Sequence, residues 1–189
     1  MSLFEYLSIA FSLVFSFAAV RLLGGLPYAM AQNRWYWVHL AAIILLLGRV
    51  MGVFWALWSY QEVVWSFPKF MLLMTVPSTL YFMCVAMVPE NPGGIMSWYD
   101  YYYSVRVRYY AGMCLFAIAI VVSTTVLLDM SWDHPARVAH LFFFLIGLVG
   151  VSTANPRVHA GITIGLIVAM IFLAINIIFQ PGSLSQNPG

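Results

Sequence analysis

Long apolar runs alternate along the chain with short segments rich in glycine, proline and polar residues. A membrane-spanning helix needs about 20 consecutive, mainly apolar residues. The runs that meet this requirement are residues 3–24, 36–59, 66–88, 107–128, 137–154 and 158–179. The breaks between them carry residues that interrupt helices. The pattern therefore predicts an all-α integral membrane protein, a compact bundle of six transmembrane helices without a soluble domain.

The composition supports this class of protein. Hydrophobic residues make up 63% of the chain and charged residues 7%, whereas soluble domains carry roughly 25% charged residues. The net charge of +2 is small and scattered, which gives no basis for binding nucleic acid. The first apolar run lacks the basic start and cleavage site of a signal peptide. We therefore expect residues 1–189 to form a single polytopic domain whose main partner is the lipid bilayer.

Basic residues near the ends of the predicted spans indicate an orientation, because cytoplasmic connections of membrane proteins are enriched in Lys and Arg. The connections after spans one, three and five carry or adjoin Arg21, Arg34, Arg106, Arg108 and Arg157. The opposite side carries Arg137 and Lys69. We therefore predict that both termini lie outside, with the protein in the inner, cytoplasmic membrane of a bacterium.

The first span carries a polar stripe. Its members are Glu5, Ser8, Ser12 and Ser16, which are three, four and four residues apart. On a helix this spacing places them along one face. Such serines either line a polar interior or act as small packing residues that let helices approach each other.

Arg49 falls near the middle of the second span, where a charged side chain costs about 2.5–3.5 kcal/mol on insertion scales. It should therefore face the bundle interior and have a partner there. Depth along the helices places Arg49 between the levels of Ser8 and Ser12, within reach of Glu5. The sequence predicts a contact between Glu5 and Arg49. Together with the serines of the stripe they would form a polar core for transport.

Two histidines are predicted to lie at a similar depth, His39 in the second span and His159 in the sixth. That arrangement would suit a bis-histidine haem b. No haem-attachment motif and no paired histidines on one helix are present. We expect no cofactor and no metal site, with haem b as the alternative.

The segment SWYDYYYSVRVRYY, residues 97–110, has the most unusual local composition. It leads into the predicted fourth span. Aromatic rings and arginines in this position are typical of a belt at the lipid headgroups. The alternative is an aromatic pocket or docking surface for a quinone, pigment or partner subunit. The residues expected to face lipid or a partner are Trp98, Tyr101, Tyr102, Arg106, Arg108 and Tyr109.

No catalytic motif is present, which favours a role other than enzymatic without excluding one. The first hypothesis is a channel or transporter for protons or small ions through the polar core. The second is an accessory or scaffolding subunit of a respiratory or photosynthetic membrane complex. The third is a haem-binding electron carrier. Small bundles often assemble further, so we expect a homo-oligomer or a place in a larger complex.

Overall fold

The computed structural model describes residues 3–31, 34–173 and 175. Regular structure in this part of the chain is entirely helical, which confirms the predicted all-α class. The α-helices are α1 (Leu3–Ala29), α2 (Trp37–Ala56), α3 (Phe67–Met87), α4 (Trp98–Leu128), α5 (Ala136–Ser152) and α6 (Pro156–Leu173). Short 3₁₀ turns follow α2 at Leu57–Tyr60 and α3 at Pro92–Gly94.

Five of these helical segments are long and apolar enough to cross a membrane, namely those that contain α1, α2, α3, α4 and α6. Helix α5 is also apolar but has 17 residues, a length of about 25 Å at 1.5 Å per residue. The hydrocarbon core of a bilayer is about 30 Å thick. The described helices are thus consistent with a membrane location, and α5 is the shortest of the six.

Two helices extend beyond the predicted spans. Helix α1 continues to Ala29 through glycines and a proline that were expected to end it at residue 24. Gly25 packs against Val88, and a side chain there would collide with that valine, so tertiary packing outweighs the low helix propensity. Helix α4 begins at Trp98 rather than at residue 107. The predicted end of the sixth span, near residue 179, lies outside the described residues.

Helix α4 packs chiefly against α3 and α5, while α1 packs against α2 and α3. Helix α6 contacts α2 and α5. Two glycines of α5 allow its close approach to α4. A Cβ at Gly147 would lie 3.1 Å from the Tyr110 carbonyl oxygen, and one at Gly150 would meet the Tyr110 ring. Backbones come close where small residues meet, so this pair fixes how α5 sits on α4.

Arg137 joins the beginning of α5 to the end of α4. Its guanidinium donates to the carbonyl oxygens of Val121 at 3.1 Å and Met130 at 2.7 Å. It also donates to the hydroxyls of Thr124 at 3.0 Å and Thr125 at 2.7 Å. A cation at a helix C-terminus satisfies carbonyls that have no partner within the helix. This buried arginine therefore has a structural role that its predicted loop position did not indicate.

Candidate functional site

The structure does not place the polar stripe of α1 in the bundle interior. Glu5 and Ser16 are exposed, and Ser8 and Ser12 are half-buried. The Ser8 hydroxyl donates to the Glu5 carbonyl and the Ser12 hydroxyl to the Ser8 carbonyl, each at 2.7 Å. These serines thus bond to their own helix. The buried face of α1 is apolar and contains Phe11, Phe15, Ala18 and Leu22.

Arg49 does face the interior, but its side chain extends towards α4 and α5 rather than towards Glu5 on α1. Its guanidinium carbon lies 3.6 Å from the centre of the Phe143 ring on α5 and 5.4 Å from that of Phe116 on α4. These are cation–π contacts. Among the described residues no ion pair joins Arg49 to Glu5, so the predicted contact is not formed. The error has a physical reason: depth was read from the helices, but the direction of the side chain around α2 was not.

No carboxylate is buried near Arg49. Every acidic side chain of the chain is exposed, and these residues are Glu5, Glu62, Glu90, Asp100, Asp129 and Asp133. Within the described part of the chain, the Arg49 guanidinium contacts two aromatic rings and makes no hydrogen bond. The bundle interior therefore carries a positive charge that no acidic side chain balances.

A cavity of about 20 Å³ lies beside Arg49, between α2, α3, α4 and α6. Its lining consists of Leu45, Leu46, Arg49, Met83, Tyr109, Met113, Leu166 and Met170. Apart from thioether sulfurs, the polar groups in this lining are the Arg49 guanidinium and the Tyr109 hydroxyl. Tyr109 is 3% exposed, and in the described residues its hydroxyl has no hydrogen-bond partner.

A second polar cluster lies nearer the start of α4. The Tyr102 and Tyr110 hydroxyls are 2.9 Å apart, and they lie 3.1 and 3.2 Å from His159 Nδ1. The other ring nitrogen, Nε2, lies 2.9 Å from the Thr153 carbonyl oxygen. A carbonyl only accepts, so Nε2 carries the proton and, in the neutral ring, Nδ1 accepts from a tyrosine. Either tyrosine can donate to Nδ1 while it accepts from the other.

His39 is fully buried and stacks on Trp98, with ring centres 4.6 Å apart. Neither of its ring nitrogens has a hydrogen-bond partner within the described residues. The Tyr102 ring stands edge-on to both histidines, 6.2 Å from His39 and 5.5 Å from His159. Haem ligation would need a free ring nitrogen from each histidine, but both nitrogens of His159 are already bonded. This arrangement gives the haem hypothesis no support.

The aromatic segment is not a lipid-facing belt throughout. Trp98, Tyr102 and Tyr109 are buried, and they follow each other at helical spacing on one face of α4. Tyr101 is half-buried and donates to the Ala86 carbonyl at 2.9 Å. These positions are therefore corrected from surface to core.

The two arginines of the segment differ. Arg106 donates to the Thr153 carbonyl at 3.3 Å and to the Tyr103 carbonyl at 2.9 Å. Arg108 is exposed and remains a candidate for lipid contact. Sequence reasoning missed Tyr110 and Phe143 as interior contacts of His159 and Arg49. The signal for Tyr110 was its spacing of eight residues from Tyr102, about two helical turns, whereas nothing local indicated Phe143.

These groups form a series through the interior, which we call the polar axis. The Tyr109 and Tyr110 ring centres are 5.0 Å apart, and Arg49 stacks on Phe143 of α5. On that helix Arg137, His140 and Phe143 follow each other three residues apart, which places them along one face. From Tyr102 to Thr124, a hydroxyl that binds Arg137, α4 rises about 33 Å. That is close to the thickness of a bilayer. The members of the polar axis are His159, Tyr102, Tyr110, Tyr109, Arg49, His140 and Arg137.

The fold and this interior define a class: an all-helical protein with five long apolar helices, whose buried polar groups include tyrosines, two histidines and Arg137. Comparison with known proteins adds no relative to this description, because no family model, curated protein or solved structure matches the chain.

Proposed function

We propose that the chain is a six-span membrane protein that conducts or transports a small ion along the polar axis. The proposal has α5 cross the membrane despite its length, with local thinning of the bilayer. The end that carries Arg34, Arg108 and Arg157 would face the cytoplasm. The single observation that carries the proposal is a polar axis about 33 Å long with Arg49 in its middle.

The charge of the axis favours an anion as the permeating ion. Arg49 and Arg137 are positive, and every acidic side chain is exposed. A cation or hydronium ion would meet two guanidinium groups in a low-dielectric interior, where like charges repel strongly. An anion would be attracted by the same groups. This narrows the hypothesis of protons or small ions to an anion, and it no longer uses Glu5.

The test is ion flux in proteoliposomes loaded with potassium chloride and diluted into potassium gluconate, with valinomycin present. We expect chloride efflux at least ten times faster than from protein-free liposomes. Arg49→Gln should reduce efflux towards the protein-free rate, because it removes the central charge. Arg157→Gln, a change at an exposed arginine, is the matched control and should leave efflux unchanged. Equal efflux with and without protein, for chloride and for protons, would exclude the proposal.

An accessory or scaffolding role is the second candidate, and the exposure of α6 favours it. The buried residues of this helix are His159, Thr163 and Leu166, so most of its apolar surface is open to lipid or to another chain. Native mass spectrometry after mild extraction would distinguish the two roles. A constant stoichiometry with other subunits would support the accessory role, and a homo-oligomer or monomer would favour autonomous transport.

A further inference from the structure

We infer that the cavity beside Arg49 is a binding site for one small monovalent anion of the size of chloride or bromide, held by the Arg49 guanidinium and the Tyr109 hydroxyl. The inference deepens the proposed function, on which it rests, by naming the class of ion and the place where it is bound.

The first argument is the arrangement of donors around the cavity. Phe143 lies against one face of the Arg49 guanidinium, with 3.6 Å from the guanidinium carbon to the ring centre. The five N–H donors of a guanidinium lie in its plane, so a stacked ring leaves them available. No described residue accepts from them. The Tyr109 hydroxyl, on a side chain that is 3% exposed, is also without a partner within the described residues.

Such donors are costly when they have no acceptor. The Tyr109 side chain is buried and Arg49 is half-buried, and a polar group removed from water is destabilising when nothing accepts its hydrogen bond, a charged group most of all. An isolated buried charge is tolerated only with a partner of opposite charge or a solvated surrounding. Because every acidic side chain is exposed, no described carboxylate lies buried beside Arg49, and we assign the compensating charge to a bound ion. A bound anion provides the charge and the acceptor together.

The size of the cavity limits which anion fits. A volume of about 20 Å³ exceeds the 10–15 Å³ needed for one water molecule, so the cavity has room for one small ion. It is a better match for a monatomic anion than for sulfate or phosphate. A monovalent ion also matches the single charge of Arg49, whereas a divalent ion would carry a larger desolvation cost.

The walls of the cavity suit a halide. Apart from Arg49 and Tyr109 they are leucine and methionine side chains. The thioether sulfur of methionine is polarizable, and the methionines of the lining are Met83, Met113 and Met170. Met170 of α6 reaches the cavity because position 48 on α2 is a glycine. A Cβ at Gly48 would meet the end of the Met170 side chain, with the sulfur at 3.3 Å. Gly48 thus lets α6 close one side of the site.

The test is anion-dependent stability of the purified full-length protein in detergent. The melting temperature is measured in sodium bromide, chloride, gluconate and sulfate at constant ionic strength. We expect a saturable increase with bromide and chloride relative to gluconate, because a ligand that binds only the folded state stabilises it. Sulfate should give only the gradual, non-saturating increase of an excluded salt. Tyr109→Phe removes one donor but keeps the ring, and should weaken the apparent halide affinity about tenfold. Arg49→Met should abolish the dependence.

Tyr81→Phe, at an exposed tyrosine of α3, is the matched control and should bind as the wild type does. A crystal soaked in bromide should show an anomalous peak within hydrogen-bond distance of both Arg49 and Tyr109. Equal melting temperatures in bromide and gluconate would overturn the inference and indicate that water fills the cavity. If Arg49→Met does not fold, the melting temperatures of Tyr109→Phe in the same salts still test the inference.

The binding experiment and the flux experiment fail independently. Halide-dependent stability without chloride efflux would leave the anion site standing and refute transport. Chloride efflux without halide-dependent stability would support transport and refute this site.

Discussion

At the scale of single residues, the hydrogen-bond ring of Tyr102, Tyr110 and His159 is the most specific polar arrangement in the interior. His159 Nδ1 has two hydroxyls within 3.2 Å, and it needs only one donor. The Thr153 carbonyl holds the opposite nitrogen at 2.9 Å and so fixes which nitrogen accepts. The hydrogen-bond ring thus contains one hydroxyl donor more than Nδ1 needs. Either tyrosine can donate to Nδ1 while it accepts from the other tyrosine.

This redundancy leads to a prediction about paired substitutions. Tyr102→Phe or Tyr110→Phe alone should reduce the free energy of unfolding by about 0.6 kcal/mol, the average for a hydrogen bond between membrane helices. The remaining hydroxyl still donates to Nδ1. The double variant leaves Nδ1 buried without a donor, so its loss should exceed the sum of the single losses by about 1 kcal/mol or more. Reversible unfolding in mixed micelles measures all three values.

Tyr81→Phe is the control for this cycle, because Tyr81 is an exposed residue of α3, and it should change stability very little. Strict additivity of the two single substitutions would show that each hydroxyl makes an independent bond and that the ring has no spare donor.

At the same scale, sequence reasoning identified which residues matter better than it identified their partners. It predicted that Arg49 faces the interior, since lipid contact is too costly for a charge in mid-span. It chose Glu5 as the partner because it compared depth alone. The observed neighbours, Phe143 and Phe116, come from helices far away in sequence. Their approach depends on how α4 and α5 pack, which no local pattern contains.

At the scale of helices, the existence and class of each element followed from the apolar runs, but some ends did not. Composition near residue 24 indicated a break, and the packing of Gly25 against Val88 overrides it. The tyrosine-rich segment was expected to lead into the fourth span, and it forms the first turns of α4. Ser97 caps this helix by accepting from the Asp100 amide at 3.2 Å. A serine followed by an apolar face at helical spacing was the signal available in the sequence.

The contact of α5 with α4 gives a prediction at this scale. Gly150→Ala adds a Cβ that would lie 2.6 Å from Cδ2 of Tyr110, a ring already held by Tyr102 and His159. Overpacking of this kind costs about 1–3 kcal/mol. We expect a loss of stability in that range, together with a change in the environment of Tyr110 that near-ultraviolet circular dichroism detects.

Gly161→Ala is the matched control, because a Cβ at that position has no atom of the described residues within 4 Å. It should be neutral or slightly stabilising, since alanine favours helix over glycine by about 1 kcal/mol. A Gly150→Ala variant as stable as Gly161→Ala would mean that α5 can move away from α4 at no cost.

At the scale of the whole molecule, charge is divided between interior and surface. All acidic side chains are exposed, while Arg49 and Arg137 lie among the helices. One end of the bundle joins α3 to α4 and the other joins α4 to α5. If α4 crosses the membrane, these two connections lie on opposite sides. That requirement is independent of any transport activity, and it tests the proposed topology directly.

The last prediction uses one cysteine at each end, Asn91→Cys before α4 and Asp133→Cys after it, both at exposed positions. An impermeant maleimide applied to intact cells should label Asp133→Cys at once, because the positive-inside rule places that connection outside. Asn91→Cys should be labelled only after permeabilisation. Wild-type protein, whose Cys84 is buried and Cys114 half-buried, is the control for background labelling.

Labelling of both variants from the same side would contradict a transmembrane α4. If the two variants are labelled in the reverse order, the orientation of the bundle in the membrane is inverted. The polar axis does not depend on that orientation, so the proposed ion path would stand.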